Sequence, residues 1–212
     1  MSHAELDSPE PTPGGEATPA AATRKRPKPG ERRVQILQAL ATMLEQPGAE
    51  RITTAALAAK LDVSEAALYR HFASKAQMFE GLIEFIEQSV FSLINQIGER
   101  EADGQAQAAR IVGMLIQFAE KNPGMTRVMV GDALVFENER LQQRMNQFFD
   151  KVEASLKQCL RPAADAAAPT LDAAVRASVL TAFIVGRLQR FARSGFRRMP
   201  SEHLEASLAH ML

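Results

Sequence analysis

The chain has 212 residues, 46% of them apolar and 24% charged, a balance ordinary for a globular protein of one or two domains. No stretch approaches the ~18 consecutive apolar residues of a membrane helix, and residues 1–23 carry no apolar run of the signal-peptide kind, so neither a membrane partner nor an exported protein is expected. Cys159 is the only cysteine, which excludes an intrachain disulfide and suits a reducing cytoplasm.

The formal net charge is zero, but the charges are segregated. Glu5, Asp7, Glu10 and Glu16 stand in residues 1–23 without a Lys or Arg, whereas residues 24–80 hold ten Lys/Arg against six Asp/Glu. Tryptophan is absent and tyrosine occurs once, while Ala, Leu, Met, Glu, Gln and Arg abound. That mix favours helix over strand, and the helical patterns along the chain, taken next, predict an all-α fold of about nine helices.

In chain order, residues 1–30 are rich in Pro, Gly, Ala, Ser and Thr and have little to bury, so a disordered tail is expected. Its last part, Arg24 to Pro29, forms a basic arm. Val34, Leu37, Leu40, Ala41 and Leu44 recur at helical spacing over 31–45 until Pro47-Gly48 breaks the pattern. A short helix over 54–61 follows, capped by Thr53 or Thr54. The Asp62-Val63 turn leads to a third helix, 65–71, capped by Ser64. Ser74 to Gln77 match a capping box opening a long helix to about Ile97. On that helix Phe85 falls at the edge of a wide apolar arc, and Phe91 falls outside it. Further helices are predicted at 105–121, 125–135, 138–160, 171–194 and 201–211, separated by Asn122-Pro123-Gly124, by an Ala-rich stretch between Pro162 and Pro169, and by Gly195 to Pro200. The helix 171–194 is apolar almost all round. One stripe contains Leu180, Ile184 and Leu188, the other Val175, Val179, Ala182 and Gly186. A helix with two apolar faces is sandwiched, here between its own core and a second subunit, and Leu180, Ile184 and Leu188 are expected at that dimer interface.

The segment from Thr53 to Phe72 has helix-turn-helix layout. Ala58 is small where the two helices cross, and Val63, Leu68 and Phe72 anchor the second helix. Asp62 occupies the turn, where a residue tolerant of left-handed backbone is needed. The anchors free the N-terminal end of the second helix for a DNA major groove. Ser64, Glu65, Ala66 and Ala67 then lie nearest the base edges, while Thr53, Thr54, Tyr69, His71 and Lys75 are placed for phosphate contacts. These features divide the chain into a tail (1–30), a three-helix DNA-binding domain (31–74) and a helical dimerisation and partner-binding domain (75–212).

Ile52-Thr53-Thr54, Leu57-Ala58, Val63-Ser64, Leu68 to Phe72, Ser74-Lys75 and Phe79 together resemble the tetracycline-repressor family. Ser64 to Phe72, Leu82 to Glu87, Asn122-Pro123-Gly124 and Arg140-Leu141-Gln142 look like the nucleoid occlusion factors within it. The resemblance runs from roughly Arg33 to Leu160. It implies a nucleoid-associated dimer, with higher-order assembly on DNA left open, that binds palindromic chromosomal sites and antagonises the division GTPase FtsZ. It also implies a groove for the FtsZ C-terminal tail at Phe85, Leu93, Met114, Lys121 and Asn122. Leu93, Gln117 and Lys121 depart from the family pattern of Arg, Gly and Arg, and Lys lacks the bidentate fork with which Arg takes a carboxylate.

The same fold serves small-molecule-responsive repressors, and Met114, Phe118, Met125, Met129, Phe136 and Phe183 are candidates for lining a ligand pocket. An enzyme is not expected. The sequence has no Gly-rich phosphate loop, Cys/His metal spacing or nucleophile elbow, so no catalytic residue, metal or cofactor is assigned.

Overall fold

The computed structural model describes residues 30–46, 52–163 and 167–212. The basic arm at 24–29, the Pro47-Gly48 breaker and the middle of the Ala-rich stretch lie outside the described residues. Among the described residues there are nine α-helices and no strand: α1 (Glu31–Leu44), α2 (Thr54–Lys60), α3 (Glu65–Tyr69), α4 (Lys75–Arg100), α5 (Gly104–Lys121), α6 (Pro123–Met129), α7 (Glu139–Leu160), α8 (Pro169–Arg193) and α9 (Leu204–Met211).

Helix starts follow the capping residues. The side chains of Thr53, Ser64, Ser74 and Asp103 accept from the backbone N–H groups of Ala56, Ala67, Gln77 and Ala106. Each such cap satisfies a donor the helix cannot, and losing one costs about 1 kcal/mol. Gln77 reaches back to the Ala73 N–H at 2.8 Å, completing a reciprocal arrangement at the start of α4. Asp62 has φ 53°, the left-handed turn that the helix-turn-helix spacing requires.

Several boundaries differ from the sequence expectation: α3 ends at Tyr69 and α4 runs on to Arg100. The helix expected over 125–135 stops at Met129, because Gly131 turns left-handed (φ 84°) and only a 3-10 turn, Asp132–Leu134, follows. The last helix begins at Leu204 rather than at 201, after left-handed His203.

A continuous hydrophobic cluster joins both expected domains. It passes through α4, whose first half buries Met78, Phe79 and Leu82 and whose second half buries Ile86, Val90 and Ile94. Phe91, expected among polar residues, is half-buried with its ring edge-on to Phe148 of α7, centroids 5.6 Å apart. Helix α7 therefore covers a flank of α4 that helical periodicity alone leaves open.

Helix α6 locks the two ends together. A Cβ on Gly124 would lie 1.9 Å from the Ala41 carbonyl oxygen of α1, so only glycine permits this approach. Three ion pairs join α4 to the α7 region: Lys75–Glu137 at 2.5 Å, Glu80–Arg140 at 2.6 Å and Glu87–Arg144 at 2.6 Å. The last is bidentate, with Arg144 Nε also donating to Glu87 at 3.2 Å. Hydrogen bonding to Glu87 raises the Arg144 pKa further and outweighs the opposing effect of burial.

Candidate nucleic-acid interface

Leu68 and Phe72 are buried and hold α3 against the body. Ser64, Glu65 and Ala66 at its N-terminal end are exposed, and Ala67 is half-buried. The surface free to meet base edges is therefore the first turn of α3, with Ala67 set behind it.

The exposed end is preorganised by a polar chain across the two helices. Thr54 Oγ1 donates to Glu65 Oε2 at 2.6 Å, and Tyr69 OH lies 3.5 Å from Thr54 Oγ1. Thr54, Glu65 and Tyr69, assigned separately from sequence, thus form one connected group. Holding Glu65 in one rotamer gives the helix a fixed acceptor, the group that recognises a cytosine amino group in a major groove.

Beside this group Arg33 of α1 lies over the Phe72 ring, 4.1 Å from its centroid, and donates to the His71 carbonyl at 2.5 Å. The His71 side chain is exposed. Sequence reasoning missed Arg33, although its place one turn before the buried Ile36 on a basic first turn was the available signal. Lys75 is brought to the same end but is not a free cation, since its ammonium pairs with the nearly buried Glu137 carboxylate.

The expected partner groove lies where α4 and α5 pack as a pair joined by residues 101–103. Phe85 is 48% exposed and Leu93 37% exposed, about 12 Å apart along the helix. The short connection sets Phe85 beside the C-terminal end of α5, where Lys121 is exposed and Asn122 half-buried. Met114 is half-buried against the core. The Asn122 amide donates to the Phe118 carbonyl at 2.8 Å, so this side chain closes the end of α5.

The expected dimer residues are placed otherwise. Leu180, Ile184 and Leu188 are fully buried within the protomer's own core, because α7 and α5 cover that stripe. The stripe facing outward is the other one: Leu171 is 66% exposed, Val175 53% and Val179 48%.

Of the residues proposed for a ligand pocket, Phe136 is 60% exposed and the other five pack as core. Met129 is buried, and Met114, Phe118, Met125 and Phe183 are partly buried against the central cluster. An open cavity of about 560 Å³ with a mixed polar and apolar lining lies elsewhere, bordered by residues that include Ile94, Asn95, Gln107, Cys159 and Pro162. Burial pushes the Cys159 thiol pKa up, which keeps it a thiol and a poor nucleophile at neutral pH. Among the described residues there is no cluster of metal-ligating side chains and no helix long and apolar enough to cross a membrane.

An N-terminal three-helix reader carried on α4 and backed by five further helices defines a tetracycline-repressor-type regulator. Residues 36–82 match the family described as bacterial regulatory proteins, tetR family, and residues 103–212 match the tetracyclin repressor-like C-terminal domain. A TetR-family transcriptional regulator of Bordetella parapertussis shares the fold with a TM-score of 0.67 at 19% identity, covering 86% of this chain and 95% of its own. A nucleoid occlusion factor SlmA of Idiomarina loihiensis is 51% identical over 82% of this chain and 90% of its own length. One of Shewanella pealeana is 53% identical over 81% and 88%. The chain belongs to the SlmA family of nucleoid occlusion factors.

Proposed function

We propose that the protein works as a homodimer in the cytoplasm, bound to palindromic sites of the nucleoid, and that in this state it holds the C-terminal tail of FtsZ and blocks ring assembly over the chromosome. The observation that carries this reading is the course of α4. It starts at the DNA-reading end, tied there to Glu137, and runs unbroken to a half-exposed phenylalanine in its middle. One rigid rod thus connects the DNA surface to an apolar docking point. A groove rimmed by an exposed Phe and an exposed Lys suits an extended acidic-hydrophobic peptide.

Dimerisation supplies the second reading helix that a palindrome requires, about 34–36 Å away or a further turn along. The outward stripe Leu171, Val175 and Val179 is the surface that serves it. The test is FtsZ polymerisation followed by light scattering, with the protein alone and with the protein on a palindromic duplex. Inhibition stronger on the duplex than on a scrambled one supports the reading. Equal assembly in all three cases overturns the FtsZ half, leaving a DNA-binding regulator.

A further inference from the structure

At the end of α8 lies a basic surface that the helix-turn-helix does not include. Arg190, Arg193, Arg197 and Arg198 are exposed. Arg197 Nε donates to the Ser194 carbonyl at 3.0 Å, and among the described residues none of the four guanidinium groups pairs with a carboxylate. The cavity beside them, about 490 Å³, is lined by Ser194, Arg197, Arg198, Met199 and Glu202. A surface with four arginines that no carboxylate pairs, two in the last turn of α8 and two in the loop after it, is repelled by itself and attracts an anion.

The display is built rather than loose. Gly195 and Phe196 are both left-handed, at φ 64° and 62°, and for phenylalanine that backbone is strained. It is held because the Phe196 ring packs edge-on against Phe191, centroids 5.1 Å apart, under the Arg127 guanidinium at 5.1 Å. Ser194 Oγ then accepts from the backbone N–H groups of both Arg197 and Arg198, at 3.1 and 2.9 Å. The backbones of both arginines are thus fixed to one oxygen, and both residues stay exposed, with Arg197 turned back to the Ser194 carbonyl through its Nε.

The location selects the partner. Helix α6, whose Gly124 seats on α1 of the reading domain, also packs on α8, and the Ser201 N–H donates to Glu120 near the end of α5 at 3.0 Å. The other end of the body is marked by Gln105, which donates to the Leu212 carbonyl. The arginines therefore stand at the end of the body that carries the helix-turn-helix. In a dimer whose two reading helices contact one duplex, the two-fold axis runs from the DNA into the body, so both α8 ends face the DNA side. Arg190 and Arg193 continue the outward stripe of Val175 and Val179, and two copies near that axis repel unless a polyanion lies over them.

We infer that the Arg193–Arg198 corner of α8 is a second, sequence-independent contact for DNA phosphates, placed between the two half-sites. It rests on the DNA-binding reading above and adds a surface to it. The test is DNA binding by the full chain across a salt series, on a palindromic and a scrambled duplex of equal length, comparing wild type with the double variant Arg197→Gln/Arg198→Gln. Arg110→Gln, at the far end of the body, is the control, and circular dichroism and sedimentation confirm fold and assembly. The expected result is a salt slope flatter by up to about four per dimer, close to one for each arginine removed, with both duplexes weakened by the same factor and the control unchanged. An unchanged slope overturns the inference, as does a loss confined to the palindrome. If wild type prefers neither duplex, the sequence-reading proposal fails by itself, and the equal loss on removing the arginines still reports on this surface.

Discussion

Lys75 Nζ lies 2.5 Å from Glu137 Oε1, tying the first residue of α4 to the segment that leads into α7. The ammonium that the helix-turn-helix spacing assigns to DNA phosphate is thus shared with a carboxylate of the body. Two acceptors compete for one cation. Glu137→Gln should strengthen binding to all sequences several-fold and steepen the salt slope by up to about one unit per half-site, because the freed charge can meet a phosphate. Lys75→Ala should weaken binding and flatten the slope, and adding Glu137→Gln to it should change nothing more. Anisotropy titrations at several salt concentrations measure this. A loss of affinity in Glu137→Gln alone would show that the pair positions α4 instead.

A different role is expected for Thr54, whose hydroxyl donates to Glu65. Thr54→Val keeps the shape but removes that donor, so Glu65 loses its fixed rotamer. Site preference should relax by about 1–3 kcal/mol at the base pair facing Glu65, while binding to scrambled DNA changes little. Selection of bound fragments from a random pool reads this out. An unaltered preference would remove Glu65 from the reading surface.

The elements legible in the sequence were those whose signal is local. Thr53, Ser64, Ser74 and Asp62 mark helix starts and a left-handed turn by their own chemistry, and each stands where the structure uses it. What stayed hidden depends on which helix covers which face. Both stripes of α8 are apolar, so periodicity asked for cover on two faces but did not tell which one the protomer covers itself. The same holds for Phe91, whose burial is decided by Phe148, 57 residues later. Charged residues were hidden in another way, since the pairings of Lys75 with Glu137 and of Arg33 with the Phe72 ring are tertiary and leave no pattern along the chain.

The two faces of α8 give opposite outcomes on mutation. Leu180→Glu places an unpaired charge in the protomer's own core and should unfold the protein, at a cost of several kcal/mol. Val175→Glu or Val179→Glu meets solvent in the single protomer, so it should leave helical content intact while producing a monomer that binds palindromes weakly. Sedimentation velocity and circular dichroism separate the cases. A stable dimer carrying both Val175→Glu and Val179→Glu would move the interface off this stripe.

Cys159 supplies a pH dependence. Burial raises its thiol pKa, so the unfolded chain ionises first as pH rises. The stability this protonated thiol contributes is complete below the ordinary thiol value of about 8.5 and is lost as pH climbs through the higher folded value. Wild type should therefore lose more stability than Cys159→Ala between neutral pH and pH above about 9, seen in parallel thermal melts. Identical pH profiles would show that the thiol is solvated.

The structure gives Phe85 and Asn122, which sequence reasoning placed together in the proposed partner groove, different surroundings. Phe85 is half-exposed on α4, so Phe85→Ala removes apolar contact area from the surface and costs the fold little. It should abolish binding of a labelled FtsZ tail peptide while leaving palindrome affinity unchanged. The Asn122 amide, in contrast, donates to the Phe118 carbonyl at the end of α5, and Thr126 Oγ1 bonds to the Ala119 carbonyl in the same turn. Asn122→Ala should then lower the melting temperature as well as tail affinity, by losing a hydrogen bond of about 1 kcal/mol. Lys121→Arg restores the planar fork that takes a carboxylate through two parallel bonds, and should tighten the tail several-fold without affecting DNA. Anisotropy with the peptide and with the palindrome reports both affinities for each variant. Wild-type peptide binding in Phe85→Ala, together with no gain in Lys121→Arg, would place the tail elsewhere on the protein.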